Sequence, residues 1–211
     1  MPDIDPAVAV DKIRKHSFRP LTMPRIPLLT PEQMNADQLR VHDKIISGRR
    51  GRIQGPLRAA LYNAELADRW QALGELLRYS TSLTPRQSEL AILVTGRSCR
   101  SPFEWHAHRL EADKAGIEVA IIEAILAETR PTGLSPDDQL IYQFAIELNQ
   151  QRSVSDATYA KALAAFGALV LVELTALIGY YTMVAMTLNA HEIPLAEGVQ
   201  PAFALPQATM R

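Results

Sequence analysis

Four times in this chain a hydroxyl residue is followed directly by proline: Thr30-Pro31, Thr84-Pro85, Ser101-Pro102 and Ser135-Pro136. A Ser or Thr side chain can accept from the free amides of a helix's first turn. Proline fits the first helical position because its missing N–H is not needed there. Each pair therefore reads as a helix start, and together they divide the chain into helical segments. The starts predict helices from Thr30 to Gly48, from Thr84 onward, from Ser101 to Gly116, and from Ser135 to Gln151. Between and after them, Pro56 to Asn63, Glu118 to Glu128, Ser155 to Phe166 and Val170 to Asn189 read the same way. Glu65 to Tyr79 places Leu66, Trp70, Leu73 and Leu77 at helical spacing. Few segments look like strands. The expectation is an all-α bundle of about eight or nine helices, with a hinge-like break at Pro131 to Gly133.

At 211 residues with 47% hydrophobic, the chain can bury one sizeable core or two similar halves. A weak echo favours halves: ELAIL at Glu89 returns as ELTAL at Glu173, each followed by a histidine, His108 and His191. The net charge is −1, so no field of one sign is available to gather nucleic acid or an anionic membrane. Cys99 is the only cysteine; no intrachain disulfide can form, which fits a reducing cytoplasm. The proline-bearing residues 1–22 read as an N-terminal arm without a signal-peptide core, and the Pro- and Ala-rich residues 199–211 as a tail that wraps a neighbour or frays. The apolar run 168–190 is long enough to span a membrane. It carries Glu173, Thr175, Thr182, Thr187 and Asn189, and reads better as a buried core helix.

The chemistry concentrates between Glu89 and His108. Glu104 and His108 are four apart and share a helix face. Carboxylate plus imidazole is the minimal kit for moving protons near neutral pH, and the apolar residues around them would shift both. The competing reading is an ordinary exposed ion pair. Glu89 is either a further acid–base group or a first-turn acid. His106 points about 200° of helix rotation away from His108, which argues against a chelate, and no metal is expected. Four further residues are candidates for binding substrate. Arg97 could offer a carboxylate fork, His106 could reach a pocket from an adjoining subunit, Tyr180 could donate a hydroxyl, and His191 could add a polar group. Each also has a structural reading: solvation, interface, core packing and helix end respectively. Tyr180 and Tyr181 are expected to point one inward and one outward. The loop RRGRIQGP is a weak anion signal.

The runs TPRQSELAILVTGR, FEWHAH and AGIEVAIIEAI resemble the carboxymuconolactone decarboxylase-like family of the alkyl hydroperoxidase D-like superfamily. ELTALIGYYTMVAMTLNAHEIPL is similar to the C-terminal part of its longer members, and MPRIPLLTPEQM to their usual start. The likeness covers Met23 to Gly198 and implies one domain over 23–198. The redox branch of the superfamily places cysteines twelve and fifteen residues after a glutamate and a histidine at nineteen. Counted from Glu89, those positions hold Ser101, Glu104 and His108. The frame is kept and both sulfurs are gone, so a vicinal-dithiol relay cannot run. The resemblance then implies the non-redox branch: a cofactor-independent acid–base enzyme with His108, Glu104 and Glu89 as its catalytic set. Its substrate would be a small carboxylated or lactone-like molecule, and its reaction decarboxylation or a related lactone or enolate proton transfer. It also implies a homo-oligomer, trimer or hexamer. The alternatives are a thiol-linked peroxidase of the same superfamily, or a non-catalytic helical module for ligand binding or oligomerisation.

Overall fold

The computed structural model describes residues 23–204; the arm 1–22 and the end of the tail lie outside the described residues. Among the described residues there are one 3-10 turn (Pro31–Gln33), eight α-helices and no strand. The helices are α1 (Ala36–Ser47), α2 (Pro56–Ala60), α3 (Ala64–Tyr79), α4 (Pro85–Ser98), α5 (Pro102–Lys114), α6 (Val119–Leu126), α7 (Pro136–Gln151) and α8 (Asp156–Ala190).

Helix α4 is the centre. Seven consecutive residues, Leu90 to Gly96, are buried, so this helix has no solvent face and is covered by α5, α7 and α8. Thr84 starts it as expected: its hydroxyl accepts from Gln87 N–H at 3.2 Å, and the Gln87 side chain accepts from Thr84 N–H at 3.0 Å. Ser135 caps α7 by accepting from Asp138 N–H.

Two boundaries differ from the sequence expectation. The helix anticipated from Thr30 is interrupted, because Met34 is extended and Asn35 sets a second cap. Asn35 and Gln38 exchange hydrogen bonds of 3.0 and 2.9 Å, and this reciprocal pair wins over continuation. The two helices expected at the C-terminal end join without a loop. They meet at Gly167, whose φ of 78° and ψ of 169° are accessible to glycine alone.

The face of α8 that packs on α3, α4, α5 and α7 is buried, but only 28% of its most apolar window is covered in the single chain. It is the one described helix long and apolar enough to cross a membrane by length and composition. The reading as a core helix therefore holds for one face. The echo of ELAIL in ELTAL does not extend to shared contacts: Glu173 accepts from Ser82 N–H at 2.7 Å, and His191 ends α8. In the tail, Phe203 turns back onto the same chain, edge-on to Trp105 at 6.1 Å, instead of reaching away.

Glu147 fixes the junction of α7 and α8. Its two oxygens accept from Ser155 N–H (2.7 Å), Thr158 Oγ1 (2.7 Å) and Gln143 Nε2 (2.9 Å). Burial works to raise its pKa, and these donors outweigh it, bringing the group from 4.5 to about 2. A lowered folded-state pKa contributes stability that is present above the ordinary value and lost as pH falls towards the folded value. Glu147→Gln should lower Tm by about 5 °C near pH 6, on the order of 2 kcal/mol. The gap to wild type should close between pH 4.5 and about 2, as read by thermal melts across that range.

Candidate active site

The site is made where α5 folds back along α4. The turn between them runs through Arg100, held left-handed at φ 49°. Asn189 of α8 donates to the carbonyls of Cys99 (2.9 Å) and Arg100 (3.4 Å), and Ser101 N–H returns to Gly96 O at 2.9 Å. This turn brings the middle of α5 opposite the start of α4. Glu89 Oε2 and His108 Nδ1 then meet at 2.7 Å, with 12% and 8% of their side chains exposed. A carboxylate only accepts, so Nδ1 carries the proton and Nε2 is left free to exchange one. The partner that orients His108 is thus Glu89, nineteen residues away, and not Glu104, one turn before it.

Glu104 has another role. It is 2% exposed, and neither carboxyl oxygen makes a hydrogen bond within the described residues. Burial pushes its pKa well above the ordinary 4.5, which favours the protonated acid. Gly96 makes room for it: a Cβ there would stand 3.4 Å from Glu104 Cγ and Oε1. Ser101 Oγ, fully buried, is likewise unpartnered. Ser-Pro-Phe-Glu has the spacing of a capping box, yet no side-chain cap forms. These are the two positions at which redox relatives would carry sulfur. The one thiol nearby, Cys99, is half-buried, and burial pushes its pKa up, which disfavours thiolate.

The sequence offered either ring of the Tyr180–Tyr181 pair as a donor but did not foresee that Tyr181 meets His108. Both tyrosines of the pair are buried, Tyr180 at 6% and Tyr181 at 3% exposure. Neighbouring residues differ by about 100° on a helix, and α8 is covered over an arc wide enough for both. The Tyr181 ring meets His108 edge-on, centroids 4.8 Å apart. Its hydroxyl is raised well above 10, first by burial; Arg78 opposes this, and Glu89 and Glu104 add to it. Helical spacing places Tyr181 eight residues after Glu173 but carries no signal that it faces His108.

Arg97 is committed elsewhere. Its Nε donates to Leu126 O at 2.8 Å, its Nη2 pairs with Glu128 at 2.9 Å, and its guanidinium lies over the Phe203 ring. It ties α4 to the end of α6 and the tail, which fills the fork expected for substrate. His106 is half-buried without a side-chain hydrogen bond among the described residues. His191 caps α8, and its carbonyl accepts from Arg25 N–H at 2.9 Å. Tyr180 stands edge-on to Trp70 and to Tyr181. Two surface clefts of about 450 Å³ lie apart from His108, one lined by residues such as Asn35 and Tyr62, the other by Arg86 and Asp138. Among the described residues no group of three His, Cys, Asp or Glu side chains is placed to hold a metal ion.

Residues 64–146, which contain Glu89, Glu104 and His108, match the carboxymuconolactone decarboxylase family. Two solved structures share the fold. An uncharacterized peroxidase-related protein from Silicibacter sp. TM1040 superimposes with a TM-score of 0.69 at 14% identity, covering 89% of this chain and 100% of its own. A second, from Ralstonia eutropha JMP134 and described as an alkylhydroperoxidase AhpD core and an uncharacterized peroxidase-related protein, gives 0.66 at 13% identity, covering 82% and 93%. No curated protein matches the chain. The all-helical architecture is therefore that of AhpD-like proteins.

A carboxyl whose folded-state pKa is raised keeps its proton where the unfolded chain has released it, so stability falls as pH rises above 4.5. Glu104→Gln removes that dependence. The variant should gain on wild type as pH rises from pH 5 by about 1.4 kcal/mol per pH unit until the folded pKa is reached, or about 3–6 °C per unit. Parallel melts of both proteins at several pH values would show a gap that widens upward; a constant gap would mean that Glu104 is ionised in the fold.

Proposed function

We propose that this chain is a cofactor-independent acid–base enzyme acting on a small carboxylated or lactone-like substrate, by decarboxylation or a related lactone or enolate proton transfer. The observation that carries the reading is the largely buried Glu89–His108 pair one helix turn from a buried, unpartnered Glu104. Loss of carbon dioxide breaks a carbon–carbon bond and leaves its electrons on the substrate. A conjugated carbonyl takes them up as an enolate. The Glu104 carboxylic acid and the Ser101 hydroxyl, both unpartnered, are suited to donate to that oxygen. His108, charged and held by Glu89, delivers its Nε2 proton to the carbon. Lactone opening or isomerisation would use the same groups.

The peroxidase-related neighbours favour a second reading, a thiol-linked peroxidase. Against it stand the oxygen-bearing side chains at both expected sulfur positions and the burial of the Cys99 thiol.

The proposed assembly is a homo-oligomer, trimer or hexamer, in the cytoplasm, with a small-molecule substrate and neither nucleic acid nor membrane as partner. On α8, Leu169, Val172, Ala176, Gly179, Met183 and Met186 are all exposed at alternating three- and four-residue spacing. A Cβ on Gly179 would meet nothing within 4 Å. Such a seam with small residues at its middle suits close packing against a second helix, which a further copy of this chain would supply.

The test is carbon dioxide release and ultraviolet loss over a panel of unsaturated acids and lactones. On any substrate turned over, His108→Ala and Glu104→Gln should each reduce turnover about a hundredfold or more, and Glu89→Gln should act through His108 and shift the pH profile. Peroxide reduction that disappears in Cys99→Ser would establish the second reading instead.

A further inference from the structure

The arginine- and glycine-bearing loop after α1 meets the end of α3 at one ring. The Arg49 guanidinium carbon stands 4.2 Å from the centroid of Tyr79, and that of Arg78 stands 5.2 Å from it. Each cation gains from the ring, but two like charges beside one ring repel. Six other arginines among the described residues are paired with a carboxylate. Arg49 and Arg78 make no ion pair or side-chain hydrogen bond among those residues. Both reach solvent, Arg49 exposed and Arg78 half-buried.

Arg78 stands beside the Glu89–His108 couple. Trp70, Gly74 and Arg78 follow one another at four-residue steps of α3 and lie along one face. Trp70 is edge-on to Tyr180 at 6.5 Å, and the Tyr180 hydroxyl rests over Gly74. Tyr180 packs on Tyr181 at 5.3 Å, and Tyr181 on His108 at 4.8 Å. Arg78 is the next turn of that face. Charge agrees with the placement: burial works to lower the Arg78 pKa, and Tyr181, Tyr79, Glu89 and Glu111 outweigh it and raise it. The two carboxylates are already engaged, Glu89 with His108 at 2.7 Å and Glu111 with Lys114 at 2.9 Å. They draw a cation to the edge of the site without taking its donors. A guanidinium fork fits a carboxylate with two parallel hydrogen bonds. We infer that Arg78, assisted by Arg49, receives the carboxylate of a small organic acid beside the Glu89–His108 couple and so selects acids over neutral molecules. Arg78 thereby takes the part that Arg97, tied to Leu126 and Glu128, does not. That the acid is the substrate rests on the acid–base reading above; its binding does not.

Calorimetric titration of the full chain with acetate and benzoate, against acetamide and benzamide as neutral isosteres, tests this, with the histidine imidazole signals followed by NMR in parallel. At least one acid should bind saturably, about tenfold or more tighter than its amide. It should also shift the His108 signal, identified by its loss in His108→Ala. Arg78→Gln should weaken that acid by about 10- to 100-fold, leave the amide unchanged and abolish the shift, and Arg49→Gln should weaken it by about two- to fivefold. Should Arg78→Gln fail to fold, Arg78→Lys keeps the charge, loses the fork and should weaken the acid by about threefold or more. Equal binding of acid and amide, no binding of either acid, tighter binding of inorganic phosphate, a His108 signal unmoved by the bound acid, or full affinity in the folded Arg78 variants would each overturn the assignment. Acid binding with the expected signatures, in a protein that turns over no acid or lactone, would leave Arg78 in place and remove the acid–base reading.

Discussion

The rest of the structure depends on the burial of α4 on every side. A helix without a solvent face must satisfy its polar groups internally, and Thr95 shows how: its hydroxyl returns to Ala91 O and receives the Asn149 amide. A rod held this way by α5, α7 and α8 has little freedom to rotate. Whatever side chains it carries at its edges are therefore presented in fixed directions. Glu89 sits at the point where that rod emerges from full burial, and α5 is laid across it by a turn that Asn189 pins.

Two glutamates within this small region sit in different surroundings. Glu89 has an imidazole at 2.7 Å and some access to solvent. Glu104 is 2% exposed, has no hydrogen-bond partner among the described residues, and lies against Gly96. Environment thus separates a carboxylate that positions a histidine from a carboxyl whose pKa burial raises. Ser101 adds a buried hydroxyl without a partner. Unpartnered polar groups in an interior each cost free energy; Glu104 lies one helix turn and Ser101 about two turns before His108.

Much of this was legible in the residues. The Ser/Thr-Pro starts located the helices because capping is local chemistry that needs no neighbours. The nineteen-residue interval from Glu89 to His108 marked the frame. The interval said nothing of which carboxylate meets the imidazole, and one-turn proximity favoured Glu104. That expectation failed because side chains four apart on one helix lie side by side, whereas a partner on a crossing helix can point straight at the ring. Arg97 was misread for a similar reason: it sits two turns from Glu89, but its fork was taken by Leu126, Glu128 and Phe203, groups remote in sequence.

The sequence by itself determined the helix class, the main boundaries and the absence of the paired sulfurs, since these follow from propensity, capping and composition. Only the tertiary structure decided that Glu104 is buried without a partner, that Tyr181 joins His108, and that Arg50 reaches Gly74. Each of those depends on what surrounds a side chain in space, and dielectric environment and long-range contact leave no periodic trace along a chain.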